Sequence, residues 1–168
     1  MFFVTGLPRS GTTWFATMAN LAAPGQAFCF HEPKQTYEDL NRILYQKEFQ
    51  YEHVGIVDSS LCTYVDDYIV PGDPMLVILR DPSEVRDSID KLLGYDSTHL
   101  VEKMVEMVET IKHDNIKTIK FEDLFTDNIF EALNFLFEGE VDIDKDLVRF
   151  IQTCNVQRNK DYIQMVLG

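Results

Sequence analysis

Four groups of residues in this sequence have the types and spacing for chemistry on an anionic, phosphorylated ligand. The first is Gly6-Leu7-Pro8-Arg9-Ser10-Gly11-Thr12-Thr13, where two glycines bracket four residues and two hydroxyl side chains follow. Consecutive backbone N–H groups in such a loop, at the head of a helix, form a cradle for an anion. The spacing is that of a Walker A loop, but the Lys that should follow the second Gly is here Thr12. The loop's cation is Arg9, two residues before Gly11. Without an ammonium to reach β- and γ-phosphates, the loop suits a terminal 5′-phosphate with a guanidinium beside it. The second group is Arg80 and Ser88, eight positions apart. A fixed guanidinium and a hydroxyl suit a phosphate monoester. Arg86, on the same stretch, reads as a solvent salt bridge. The third group is His31-Glu32-Pro33, which offers two neighbouring proton acceptors. The fourth is Asp58, at the end of an apolar run, where a Walker B carboxylate would hold magnesium. We rank that below a helix start in which Ser59 or Ser60 caps the run Leu61, Tyr64, Val65, Tyr68.

These groups need elements to carry them. Phe2-Phe3-Val4 is a run of β-formers, and Trp14, Phe15, Met18, Leu21 and Ala22 follow at helical spacing, so the loop joins a strand to a helix. Pro24-Gly25 breaks the chain, and Ala27–Phe30 reads as a second strand. Open α/β sheets collect ligands at the carboxyl ends of their strands, which sends His31-Glu32 towards the same crevice as the loop. Side chains alternate along a strand, so one of this pair should face the crevice, and Glu32 is preferred. His53–Asp58 is a third strand. The turn Pro71-Gly72-Asp73-Pro74 leads to Met75–Leu79, an apolar run expected to be a buried central strand. Arg80 stands at its end, Pro82 suits the first turn of the next helix, and Ser88 lies on that helix. Leu100, Val101, Met104, Val108 and Ile111 make a helical stripe in which the methionine fills core. Ile116–Phe121 alternates as a strand near an edge does. Thr126 or Asp127 should cap a helix with Ile129, Phe130, Leu133, Leu136 and Phe137 inward. Residues 36–48 read as an ordinary amphipathic helix, and 141–151 carry a weaker helical pattern. Strands alternating with helices predict an α/β fold, a parallel sheet of about five strands sandwiched between helical layers.

Composition bounds the rest. At 168 residues and 45% hydrophobic, residues 1–168 are expected to form a single domain. No run has the length of a membrane span. Cys29, Cys62 and Cys154 are odd in number and far apart, which predicts neither a disulfide framework nor a zinc site and makes a reducing cytoplasm the default. A formal charge of −13 argues against nucleic acid as a partner. It also requires that any anion be held by locally concentrated cations.

Pro8-Arg9-Ser10-Gly11-Thr12-Thr13-Trp14 resembles the 5′-phosphosulfate loop of the sulfotransferases that use 3′-phosphoadenosine 5′-phosphosulfate (PAPS), where a Lys or Arg stands in the place of Arg9. Three other stretches resemble the same family in chain order: Glu32-Pro33 at a strand end, Arg80 with Ser88, and Phe121-Glu122-Asp123-Leu124 at the last strand. The resemblance implies a P-loop nucleoside-triphosphate-hydrolase-like fold. It implies sulfuryl transfer from PAPS, with adenosine 3′,5′-bisphosphate (PAP) as product, to a hydroxyl on a carbohydrate, a small molecule or a tyrosine, with no metal required. Arg9 and Glu32 become the catalytic residues, Glu32 as general base, with His31 the competitor because cytosolic members use a His. Arg9, Ser10, Gly11, Thr12 and Thr13 hold the 5′-phosphate, and Arg80 and Ser88 the 3′-phosphate. The chain departs from the family at Asp58-Ser59-Ser60, where Asp-Lys-Thr-Pro is common, and in lacking the C-terminal Arg-Lys-Gly. Gln157-Arg158-Asn159-Lys160 reads instead as a solvated helix end. Two other readings stand beside this one: a small kinase using ATP and magnesium with Asp58 as metal ligand, and a nucleotide-binding module without turnover.

Overall fold

A computed structural model describes residues 1–33, 51–63 and 71–154. The helical pattern at 36–48, most of the run from Leu61 to Tyr68, and the segment with Arg158 and Lys160 lie outside the described residues. Five strands form one parallel sheet: β1 (Phe2–Gly6), β2 (Ala27–His31), β3 (His53–Val57), β4 (Met75–Leu79) and β5 (Ile116–Lys120). Their order is β2-β3-β1-β4-β5, so β1 is central and the order reverses around it. That reversal opens a crevice at the carboxyl ends of the strands. The described helices are α1 (Thr12–Ala22), α2 (Pro82–Leu93), α3 (Thr98–Glu109), α4 (Asn128–Leu136) and α5 (Lys145–Thr153).

The sheet separates two apolar layers, as strand alternation requires. Phe2 and Val4 of β1 join Leu76, Ile78, Cys29 and Val57 on one face, under α1, α4 and α5. Phe3, Ile56, Met75 and Val77 face the other way, towards Val108 and Ile111 at the end of α3, while Leu7, Val85, Ile89 and Val101 join α2 to α3. Burial of a large side chain such as Phe2, Phe3, Phe15 or Phe137 stabilises the fold by about 1.5–3 kcal/mol each. Gly55 is required by this packing, since a Cβ there would lie 2.0 Å from the Phe2 ring.

The architecture is the expected α/β sandwich, with β5 at an edge. Of the expected stripe, Val101 is buried and Met104, Val108 and Ile111 pack partly buried against the same layer, while Leu100 is exposed. Before α4, the hydroxyl of Thr126 accepts from Asn128 N at 3.2 Å, while the Asp127 side chain makes no capping bond. Among the described residues no helix is long and apolar enough to cross a membrane.

Candidate functional site

Close approach dictates the glycines of the β1–α1 loop. A Cβ on Gly6 would meet the Ile78 carbonyl oxygen at 2.5 Å and Ser10 Oγ at 2.7 Å. Gly11, at φ +88°, would set one 3.0 Å from the Phe121 ring. Between them Arg9 is held at φ +69°, a left-handed conformation that costs a side-chain-bearing residue about 1–2 kcal/mol. Such strain persists only where surroundings enforce it, and it collects at functional sites. Ser10 N donates to the Leu7 carbonyl at 3.0 Å, which closes the turn. The Ser10 hydroxyl is fully buried and has no hydrogen-bond partner among the described residues. The backbone bonds among the described residues leave the N–H groups of Gly11, Thr12 and Thr13 untaken, as the first turn of a helix must. An orphaned hydroxyl and free N–H groups at the head of a helix fit a phosphate group.

Residues far apart in the chain meet beside this loop. Arg9 Nε donates to Ser88 Oγ at 3.0 Å. Arg80 Nη1 donates to the Arg9 carbonyl at 2.5 Å, and its Nε donates to Glu84 Oε2 at 3.1 Å. The Arg80 guanidinium also lies over the Phe121 ring, its central carbon 4.1 Å from the ring centre. Arg80 thus pairs with Glu84, one helical turn on. Asp81 instead caps α2, accepting from Ser83 N at 2.7 Å and from its hydroxyl, and these bonds hold its carboxyl below the usual range. Arg86 pairs with Asp87 at 3.5 Å on the surface, as expected.

Across the loop, Thr13 Oγ1 lies 3.1 Å from His31 Nε2, and that nitrogen lies 3.8 Å from Glu32 Oε1. Glu32 has φ +42° and has left the strand, although its N–H still donates to the Val57 carbonyl. Alternation therefore stops at His31. The expectation that only one of the pair faces the crevice fails for this reason, because both side chains reach the same rim. The His31 side chain is 14% exposed and that of Glu32 52%, so the imidazole is the sheltered member. Burial pushes His31 below the ordinary histidine value, opposed by the carboxylates of Glu32 and Asp58. Asp58 is itself the capping residue of the 3-10 turn Ser59–Thr63. Its carboxylate accepts from Ser60 N at 2.7 Å and Ser60 Oγ at 2.8 Å, which corrects the assignment of the cap to Ser59 or Ser60.

One part of the site is absent from the sequence reading. Phe121 and Phe125 meet edge to face at 5.3 Å, and Phe125 lies against Trp14 at 5.0 Å. Phe125 is exposed, while the buried Trp14 Nε1 has no partner among the described residues. This aromatic wall borders the loop through the contact of Phe121 with Gly11. Its sequence signals are Phe121 at the head of Phe121-Glu122-Asp123-Leu124 and an i,i+4 aromatic pair, which reads equally well as core.

Comparison with known proteins sharpens the fold. No protein-family model matches the chain, and no curated protein matches its sequence. Among solved structures it is similar to mouse sulfotransferase SULT7A1 complexed with PAP, with a TM-score of 0.59 and 13% identity over 90% of this chain. The match takes in 62% of the neighbour's length, so this chain spans less than two thirds of it. At that identity the likeness is one of fold. The chain has a sulfotransferase-like α/β fold.

Proposed function

We propose that this chain, acting as one domain, is a PAPS-dependent sulfotransferase that transfers a sulfuryl group to an acceptor hydroxyl. The observation that carries the reading is the link Ser88–Arg9–Arg80 at the head of the β1–α1 loop. It sets two cationic positions side by side, one at the helix N-terminus and one at the end of β4. That suits a nucleotide with separate 5′- and 3′-phosphates better than a triphosphate chain. The fold neighbour supports it, since that protein is complexed with PAP.

PAPS, when bound, supplies an activated sulfuryl group whose bond to the 5′-phosphate breaks as the acceptor oxygen bonds to sulfur. The protein's part is positioning and charge stabilisation, by analogy with phosphoryl transfer. The N–H groups of Gly11 to Thr13 and the hydroxyls of Ser10, Thr12 and Thr13 bind the 5′-phosphate. Arg9, strained outward and steadied by Ser88, neutralises the negative charge that develops there. Arg80 and Ser88 bind the 3′-phosphate and so exclude nucleotides that lack it. Glu32 takes the proton of the acceptor hydroxyl, a role worth about 10²–10⁴ in rate. The aromatic wall of Phe121 and Phe125 is an apolar surface beside the loop. Three free cysteines suit the reducing cytoplasm we assign to it.

The test is incubation with PAPS and a panel of sugars, phenols, alcohols and tyrosine peptides, with PAP and sulfated product followed by mass spectrometry. Transfer to one acceptor class, lost by at least about 10²-fold in Glu32→Gln with nucleotide binding retained, is the expected result. PAP binding with no turnover on any acceptor would leave the non-catalytic module. Phosphoryl transfer from ATP and magnesium would replace the reading with the kinase.

A further inference from the structure

The Thr13 hydroxyl has one hydrogen and two claims on it. It opens α1 at the loop where a 5′-phosphate binds in the reading above, on which this inference rests. It also lies 3.1 Å from His31 Nε2. The same nitrogen stands 3.8 Å from Glu32 Oε1. Among the described residues, the charged groups that face the ring are Glu32, beside it in the chain, and Asp58 at the end of β3. Among the described residues, α1 presents to it only the neutral Thr13. The ring is largely sheltered from water, and among the described residues these are the groups within its reach.

A neutral imidazole has one acceptor nitrogen, and burial favours the neutral form here. With no anion at the loop, and the ring in the tautomer that carries its hydrogen on Nδ1, Nε2 accepts the Thr13 hydrogen. A phosphate dianion is the stronger acceptor, since charge-assisted hydrogen bonds are about twice as strong as neutral ones. When the hydroxyl turns to the phosphate, Nε2 loses its donor and can keep a hydrogen bond only by becoming a donor itself. Its acceptors are then the Thr13 oxygen and the Glu32 carboxylate. We propose that His31 is a positioning residue that senses the filled loop through the Thr13 hydroxyl and, by turning Nε2 from acceptor to donor, holds the Glu32 carboxylate for the acceptor. Nε2 becomes a donor by taking one proton from solvent rather than by exchanging tautomers, because the phosphate dianion adds to the Glu32 and Asp58 carboxylates that favour the charged ring; the proton returns on release, and no other bond is made or broken.

The experiment is an NMR titration of the histidine Cε1–H signals between about pH 5 and 9, with and without saturating PAP. His31→Gln identifies its signal among the four histidines. In the wild type and in Thr13→Ser, PAP raises the His31 titration midpoint by about one pH unit, a tenfold gain in proton affinity. In Thr13→Val, which has no hydroxyl to surrender, the rise is less than half of that and reflects the phosphate charge alone. Glu32→Gln lowers the rise independently, because the protonated ring loses its carboxylate; this arm holds even if Thr13→Val folds poorly. Equal rises in wild type and Thr13→Val, or an unmoved His31 while the Gly11 and Thr12 amides respond to PAP, would overturn the inference and leave the sulfotransferase reading intact. If neither the amides nor His31 respond, the nucleotide does not bind, and both fall.

Discussion

Arg80 offers the sharpest perturbation, because its surroundings separate structure from binding. A guanidinium has five N–H donors. One goes to Glu84 and one to the Arg9 carbonyl, which among the described residues leaves three for a ligand. A hydrogen bond to a charged group contributes about 1.5–3 kcal/mol net. The Arg80 side chain is 19% exposed, so solvent screening places the contribution near the lower end, about 2 kcal/mol. Arg80→Ala should therefore weaken PAP binding by about 30-fold. Adenosine 5′-monophosphate, which lacks the 3′-phosphate, should lose less than about fivefold, the part due to a loosened Arg9 backbone and a lost stack on Phe121. Arg80→Lys keeps the charge without the fork and should fall between. Calorimetric titration of both nucleotides at low and moderate salt measures the two losses. Equal losses for the two nucleotides would refute the assignment of Arg80 to the 3′-phosphate. Indifference of the unaltered protein to that phosphate would do the same.

Other consequences follow from the same geometry. Glu84→Ala should tighten PAP binding by about 3–10-fold in calorimetry, because a carboxylate 3.1 Å from Arg80 competes with the phosphate for it. Arg9→Gly should raise stability by about 1 kcal/mol in urea unfolding, by relieving the left-handed backbone, while abolishing transfer. Gly55→Ala should cost about 1–3 kcal/mol or more, seen as a melting temperature lower by about 2–4 °C per kcal/mol, since its Cβ collides with the Phe2 ring. His31 is less basic in the fold than its unfolded value near 6.5, so the unfolded chain binds more protons below that pH. Stability should then fall as pH drops below about 6.5, and His31→Gln should flatten that stretch of the curve.

The parts of this molecule legible in its sequence are those written in local chemistry. Glycines at a close approach, β-formers before a loop and helical spacing after it defined β1, the loop and α1. Alternation placed β5 at an edge. What stayed hidden depends on contacts across long separations or on backbone signs that spacing does not carry. Arg9 and Ser88 are 79 positions apart, and their hydrogen bond follows from the parallel pairing of β1 with β4, not from either motif alone. Glu32 escaped the alternation rule because its φ is positive, and nothing in His-Glu-Pro announces that. Asp58 outcompeted its own serines as a cap because its carboxylate binds two donors of Ser60 at once. The aromatic wall required Phe121 to be seen against Gly11.

The central claim is that this site was built for a nucleotide carrying a 3′-phosphate. Calorimetry of PAP against ADP and ATP, each with and without magnesium, tests it most directly. The account predicts binding of PAP that is indifferent to magnesium and much tighter than that of either competitor. Preference for ATP with magnesium would contradict it.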